Sequence, residues 1–119
     1  MLTDWEMKVL EFVRRIPHGR LMTYKTLAAS LGDERGARAV GNALRKNPYS
    51  FIATDVSADQ QIPCHRVVRS DGNIGWYAGS SQGKKHKRRL LESEGIMLRG
   101  DKVCDLENHL VSYDKQTLI

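Results

Sequence analysis

Thr23-Tyr24-Lys25-Thr26-Leu27-Ala28-Ala29-Ser30-Leu31-Gly32-Asp33-Glu34-Arg35-Gly36-Ala37-Arg38-Ala39-Val40-Gly41-Asn42-Ala43-Leu44-Arg45-Lys46-Asn47-Pro48 reads as two short helices about a tight turn. Thr23 is available to cap a first helix from Tyr24 to about Ser30, which turns Leu27, Ala28 and Leu31 inward and stops at Gly32. A second helix, Gly36 to about Lys46, is small-sided at Ala37, Ala39, Gly41 and Ala43, apolar at Val40 and Leu44, and basic at Arg38, Arg45 and Lys46. Asn47-Pro48 ends it, because the residue before proline is pushed out of the helical region. This is a helix-turn-helix pattern. An αα-hairpin that never meets DNA has the same pattern, and its small residues admit a packing helix as readily as a nucleic-acid groove.

On the N-terminal side, Thr3 to Arg15 places Trp5, Val9, Leu10, Phe12 and Val13 close to a helical stripe, and Ile16-Pro17-His18-Gly19 ends it. On the other side, Tyr49 to Gln61 reads as a loop, Ser70-Asp71-Gly72-Asn73 as a turn, and Ile74 to Ser81 as a glycine-rich aromatic stretch. A last strong helix is expected from about Gln82 to Glu94, anchored by Leu90 and Leu91 and stopped by Gly95, with a short strand at Ile96 to Leu98. The pattern predicts a mainly α, compact, helix-turn-helix-like fold with short β segments.

The chain has 119 residues, 40% hydrophobic and 28% charged, which suits one small soluble domain. No apolar run approaches the roughly 18 residues that cross a bilayer, so no membrane partner is expected. The first residues, Met1-Leu2-Thr3-Asp4-Trp5-Glu6, resemble neither a signal nor a transit peptide. An intracellular site is expected, cytoplasm and nucleoid, or nucleus in a eukaryote. Residues 1–100 hold 17 Lys/Arg against 10 Asp/Glu, a balance of +7, and the last 19 hold 2 against 4, which brings the net charge to +5; the basic character peaks at Lys84-Lys85-His86-Lys87-Arg88-Arg89. On charge alone a polyanion partner and a solvated helix face fit equally.

Ile62-Pro63-Cys64-His65-Arg66-Val67-Val68 suits a short, buried, rigid segment, with proline in front and β-branched residues behind. Cysteine reacts as its thiolate, so a neighbouring base decides whether it works. A bare Cys-His pair is more often a buried structural thiol beside a core histidine. Cys64 and Cys104 are the only cysteines, and without a Cys-x-x-Cys pair they argue against a disulfide scaffold and a structural zinc site. No metal site is readable, and Cys104 reads as a packed or idle thiol.

Taken in order, Ile16-Pro17-x-Gly19-x-x-x-Thr23-Tyr24, Arg38-Ala39-Val40-Gly41, Asn47-Pro48, the Ile62 to Val68 segment, Gly75-x-Tyr77-Ala78-Gly79 and Leu90-Leu91-x-x-Glu94-Gly95 resemble the C-terminal, active-site domain of the O6-alkylguanine-DNA alkyltransferases. The resemblance covers about residues 3–98 and implies a mainly α, compact winged helix-turn-helix-like DNA-binding domain with short β segments. It implies a single-turnover methylated-DNA–protein-cysteine S-methyltransferase, a repair protein without a cofactor. Such a protein binds double-stranded DNA in the minor groove, expels an O6-alkylguanine from the stack and takes the alkyl group irreversibly onto Cys64. By the same resemblance His65 deprotonates Cys64 through a bound water, Glu94 orients the imidazole, and Asn47 supports the active-site turn. Tyr24 crowds the 3′ phosphate of the target nucleotide. Arg38 fills the vacated place in the stack, on a DNA-binding helix that also presents Ala37, Gly41 and Arg45. Tyr77 lines the guanine pocket with Pro63, Trp76 and Ala78. A monomer is expected, with residues 1–100 as the catalytic and DNA-binding domain and 101–119 as an acidic tail.

Three features depart from the family pattern. The separate N-terminal domain common there has no counterpart in these residues. Asn47 and Cys64 stand 17 positions apart, a longer connection than usual, which leaves the role of Asn47 and the pocket edge open. Trp76 and Ala78 flank Tyr77 where smaller or hydroxyl-bearing residues are common. The rival class is the alkyltransferase-like sensor, which holds the flipped base without chemistry, recruits nucleotide excision repair, and typically lacks the cysteine. A helix-turn-helix regulator with Cys64 as a redox sensor is a third class, but it leaves Tyr24, Arg38 and Glu94 together unexplained. Retention of Cys64 with His65, Arg66 and Glu94 favours transfer.

Overall fold

A computed structural model of the chain describes residues 2–32, 36–46, 61–75 and 81–111. Helix α1, Asp4–Arg14, opens on a capping box: the Thr3 side chain accepts from Glu6 N, and the Glu6 carboxylate accepts from Thr3 N. Its apolar stripe, Val9, Leu10, Phe12 and Val13, is buried as the spacing predicts. Strand β1, Met22–Thr23, runs straight into helix α2, Tyr24–Ser30. The link is Thr23, whose hydroxyl accepts from Thr26 N at 3.0 Å and so satisfies one of the unpaired donors of the first helical turn. Helix α3, Ala37–Arg45, buries Val40, Ala43 and Leu44 against α1 and α2, and Lys46 just beyond it reaches Glu6 at 2.8 Å. The helix-turn-helix therefore stands where the sequence puts it, within a residue or two at each end.

After a single 3-10 turn at Cys64–Arg66 comes strand β2, Val67–Val68, which pairs in parallel with β1, Met22 opposite Val67 and Thr23 opposite Val68. Alternate residues of a strand face opposite sides. Val67 accordingly joins the cluster built by α1, α2 and α3, while Val68 joins a second cluster with Leu21, Ile74, Leu91, Ile96 and Val103. The two-stranded ribbon is covered on both faces. That is why Met22, Val67 and Val68 are apolar, and the pairing brings the residue after Thr23 beside the residues after Val68.

Helix α4, Ser81–Ser93, is followed by a hairpin of β3, Leu98–Arg99, and β4, Lys102–Val103, and by a short helix α5, Leu106–His109. The expected strand at Ile96 to Leu98 is shifted by two residues. The acidic stretch after Gly100 is built into the fold as far as Val111. Leu21 N donates to His109 O at 2.8 Å, Val111 N to Leu21 O at 2.9 Å, and Val103 N to Gly72 O at 2.9 Å. Leu106 and Leu110 pack on the second cluster. None of the described helices is long and apolar enough to cross a membrane.

Candidate active site

The approach to Cys64 is set by Pro63. Its φ of −80° and ψ of 61° are those of an inverse γ-turn, closed by Cys64 N donating to Ile62 O at 2.8 Å. The proline ring holds φ near that value without cost. Arg66 N then donates to Pro63 O at 2.9 Å, which closes the 3-10 turn. Two successive tight turns leave Cys64 and His65 little backbone freedom. Both side chains are buried, with Cys64 4% and His65 0% exposed.

Glu94 meets this turn from the end of α4. His65 Nε2 lies 2.7 Å from Glu94 Oε2. Arg66 grips the same carboxylate with both arms, Nε to Oε1 and Nη2 to Oε2, each at 2.9 Å. Gly19 N donates to Oε1 at 3.2 Å, and Arg66 Nη1 donates to Ile16 O at 2.8 Å. The Ile16-Pro17-x-Gly19 motif thus forms the wall that fixes the carboxylate and its guanidinium. Gly19 has φ of +80°, and a Cβ there would sit 3.5 Å from Glu94 O, so glycine is the residue this backbone accepts.

Burial alone would raise the Glu94 carboxyl, but the hydrogen bonds from His65 and Arg66 outweigh it and hold the group down at about 2. Glu94 is an anion throughout the physiological range. Burial likewise dominates at His65: it lowers the imidazole below its ordinary value, Arg66 and Lys87 push the same way, and the Glu94 carboxylate opposes them. A neutral imidazole that gives its Nε2 proton to Glu94 carries its basic lone pair on Nδ1. The arrangement can accept a proton from a neighbouring thiol and hold the resulting imidazolium against a fixed anion.

Tyr24, first residue of α2, packs half-buried against the core. Gly75, with φ of +71°, passes beneath its ring, and a Cβ there would stand 3.5 Å from the phenol oxygen. Burial raises the phenol to about 12, and the charge of Cys64 adds to the rise, while Arg69 and Arg45 oppose it. Tyr24 therefore shares its surroundings with Cys64 and with the end of α3. Arg38, Asn42 and Arg45 are exposed along one face of α3, and Ala37 and Gly41 are half-buried. Pro63 is buried in the active turn. Asn47, Trp76, Tyr77 and Ala78 lie outside the described residues, as do 48–60. The structure brings Cys64, His65 and Glu94 together with Tyr24 nearby, and places Arg38 and Arg45 on an open helix face. Among the described residues no group of three or more His, Cys, Asp or Glu side chains could hold a metal ion.

Sequence reasoning passed over the partners that orient Glu94. Arg66 stood inside the motif with no role of its own, and its carboxylate is 28 residues away. Lys87 lies in a run whose charge fits a polyanion partner and a solvated helix face equally, yet it is 0% exposed and its Nζ donates to Val67 O at 2.7 Å. Its neighbours Lys84 and Arg88 instead reach Asp101, at 2.7 and 3.2 Å. Spacing was the one available signal: Lys87 lies four residues before Leu91, on the same side of α4.

Known proteins resemble the chain in both sequence and fold. The methylated-DNA–protein-cysteine methyltransferase of Methanothermobacter thermautotrophicus is 43% identical over 98 residues, which cover 82% of this chain and 48% of that protein. The chain spans about half the length of the curated relatives it matches. Mycobacterium tuberculosis OGT, solved in complex with DNA, superposes with a TM-score of 0.64 at 34% identity, over 80% of this chain and 51% of that one. S. pombe Atl1, solved with damaged DNA containing O6-carboxymethylguanine, gives a TM-score of 0.70 at 26% identity, over 95% of this chain and 100% of that one. The family model described as the DNA-binding domain of 6-O-methylguanine DNA methyltransferase matches residues 4–96. That match runs from the first residue of α1 to Ile96, across every element that builds the site, and through it the chain belongs to the 6-O-methylguanine DNA methyltransferase family.

Proposed function

We propose that this protein removes the alkyl group from O6-alkylguanine in duplex DNA by taking it onto Cys64, once and irreversibly. The observation that carries the reading is a buried cysteine beside a histidine whose far nitrogen is 2.7 Å from a carboxylate clamped by Arg66. The thiol proton passes to His65 through a bound water, and Glu94 stabilises the imidazolium. Sulfur attacks the alkyl carbon, the S–C bond forms and the C–O6 bond breaks. Its electron pair stays on guanine, which takes up a proton and is restored. Displacement at a saturated carbon needs neither an oxyanion hole nor a metal, only a thiolate, a positioned carbon and a leaving group.

The DNA half of the reading rests on α3. Its exposed Arg38 and Arg45 beside small Ala37 and Gly41 suit close approach to a minor groove, with Arg38 filling the place of the everted base and Tyr24 pressing on the backbone. Asn47 supports the turn, and Pro63, Trp76, Tyr77 and Ala78 line the guanine pocket. The protein acts as a monomer inside the cell, without a cofactor.

A second reading has one observation in its favour: the chain spans the whole of S. pombe Atl1. Under it the protein binds and flips the lesion and hands it to another repair system. Intact mass after incubation with an O6-methylguanine duplex separates the two. Transfer adds one methylene to the protein at one equivalent per chain and none to Cys64→Ala. Tight lesion binding with unchanged mass would establish the sensor instead.

A further inference from the structure

The mechanism above leaves the buried ammonium of Lys87 unused. Lys87 is fully enclosed although it belongs to the most basic run of the chain. Two contacts fix its position. Nζ donates to the carbonyl of Val67, three residues after Cys64, and stands 5.8 Å from the centroid of the Tyr24 ring. Helix α4 packs directly against the 3-10 turn that carries Cys64. Val67, whose carbonyl holds the ammonium, and Cys64 belong to one cluster, with Tyr24 packed against it.

We propose that Lys87 is a positioning residue for the nucleophile: its ammonium, held by the Val67 carbonyl and the face of Tyr24, is a counter-charge for the Cys64 thiolate, and S-alkylation removes the anion it answers. The inference rests on the thiolate reading of Cys64. Burial drives Lys87 down to about 7, and the charge of Cys64 pulls it back up. The ammonium is therefore balanced near neutrality, and the state of the sulfur tips it. The other ionisable groups around it are the Tyr24 phenol on α2, the His65 imidazole in the 3-10 turn and the Arg69 guanidinium after β2. Arg69 opposes the ammonium, whereas Cys64 favours it. Once the sulfur carries an alkyl group, the S–C bond has consumed the anionic electron pair. Lys87 then releases its proton to solvent more readily.

Coupling of this kind is reciprocal. Removing the lysine charge must raise the Cys64 midpoint by as much as alkylating Cys64 lowers the Lys87 midpoint. The test uses the full chain and iodomethane, whose iodide is displaced by the thiolate to give the same S-methyl product without any DNA. The rate of methylation, read by mass at the Cys64 peptide, is followed against pH. In Lys87→Gln, which keeps a donor for Val67 O but no charge, the midpoint is expected to rise by roughly 1 pH unit or more. Lys87→Arg, which keeps the charge, is expected to remain close to the wild type. In wild-type protein labelled with 13C-lysine, the Lys87 Cε resonance is titrated before and after S-methylation, and its midpoint is expected to fall by the same interval. This second arm needs no Lys87 variant to fold. Unmoved midpoints in either arm would overturn the proposal, since a lysine that only braces Val67 would leave them in place. Failure of transfer from DNA with both midpoints shifted would refute the repair reading and leave the coupling standing.

Discussion

Glu94 holds together more of the site than any other single side chain. Its two oxygens receive His65, both arms of Arg66 and the Gly19 amide, and its side chain is 4% exposed. Replacing it by glutamine leaves the Arg66 charge buried without its anion, a change that typically costs about 3 kcal/mol or more. Urea unfolding of Glu94→Gln should show a loss of that size, together with transfer slowed far beyond the stability effect. The pH dependence follows from the same group. A carboxyl held down at about 2 against an ordinary value of 4.5 stabilises the fold fully above pH 4.5 and loses that contribution as pH falls towards 2. His65, lowered by burial, acts in the same direction and begins earlier, since the unfolded imidazole protonates first, near pH 6.5. The stability gap between wild type and Glu94→Gln should therefore narrow steadily between pH 4.5 and 2; a constant gap would contradict the clamp. Cys64, His65 and Glu94 could be named from the sequence because the motif carries them. Arg66 and Lys87 were illegible as partners, because what they touch is brought near only by folding.

The ribbon of β1 and β2 does the positioning between elements. It delivers Tyr24 at the start of α2 to the side of the turn that carries Cys64, and Gly75 passes close under the Tyr24 ring. Gly75→Val would place a β-branched residue at φ of +71° and a Cβ within 3.5 Å of the phenol oxygen. Loss of a few kcal/mol in thermal unfolding, with slowed transfer, is the expected outcome. The exposed face of α3 makes a separate claim. Arg38→Ala should lower transfer from duplex DNA strongly while largely sparing reaction with free O6-benzylguanine, which needs no eversion. Equal losses on both substrates would refute the wedge role. Helices were readable in the sequence because their signals are local: Thr3 and Thr23 at the caps, apolar spacing within, glycine or proline beyond. Strands of two residues have no period to read, and the pairing of Met22 with Val67 joins residues 45 positions apart.

At the scale of the whole fold, two apolar clusters among the described residues lie on opposite faces of one ribbon, and the second is completed from beyond Gly100 by Val103, Leu106 and Leu110. Charge made residues after Gly100 look like a tail. Their role is apolar, and it was masked because Val103, Leu106 and Leu110 are spread among Asp101, Asp105 and Glu107. Ending the chain at Gly100 should expose Leu21, Ile74 and Leu91, and lower the unfolding midpoint in circular dichroism by more than about 10 °C. An unchanged midpoint would mean that the first cluster alone carries the fold. With a net charge of +5, DNA binding should also weaken linearly in a plot of log affinity against log salt, as phosphate contacts require. On the proposed reading all of this serves one event, the passage of a carbon from a guanine oxygen to the Cys64 sulfur. Its most direct measurement uses a duplex whose O6-methyl group is fully deuterated, followed by digestion of the protein and peptide mass analysis. The deuterated methyl should appear on the peptide containing Cys64, at one per chain, with guanine left in the DNA. Label retained on the DNA, or found on Cys104 instead, would contradict the account.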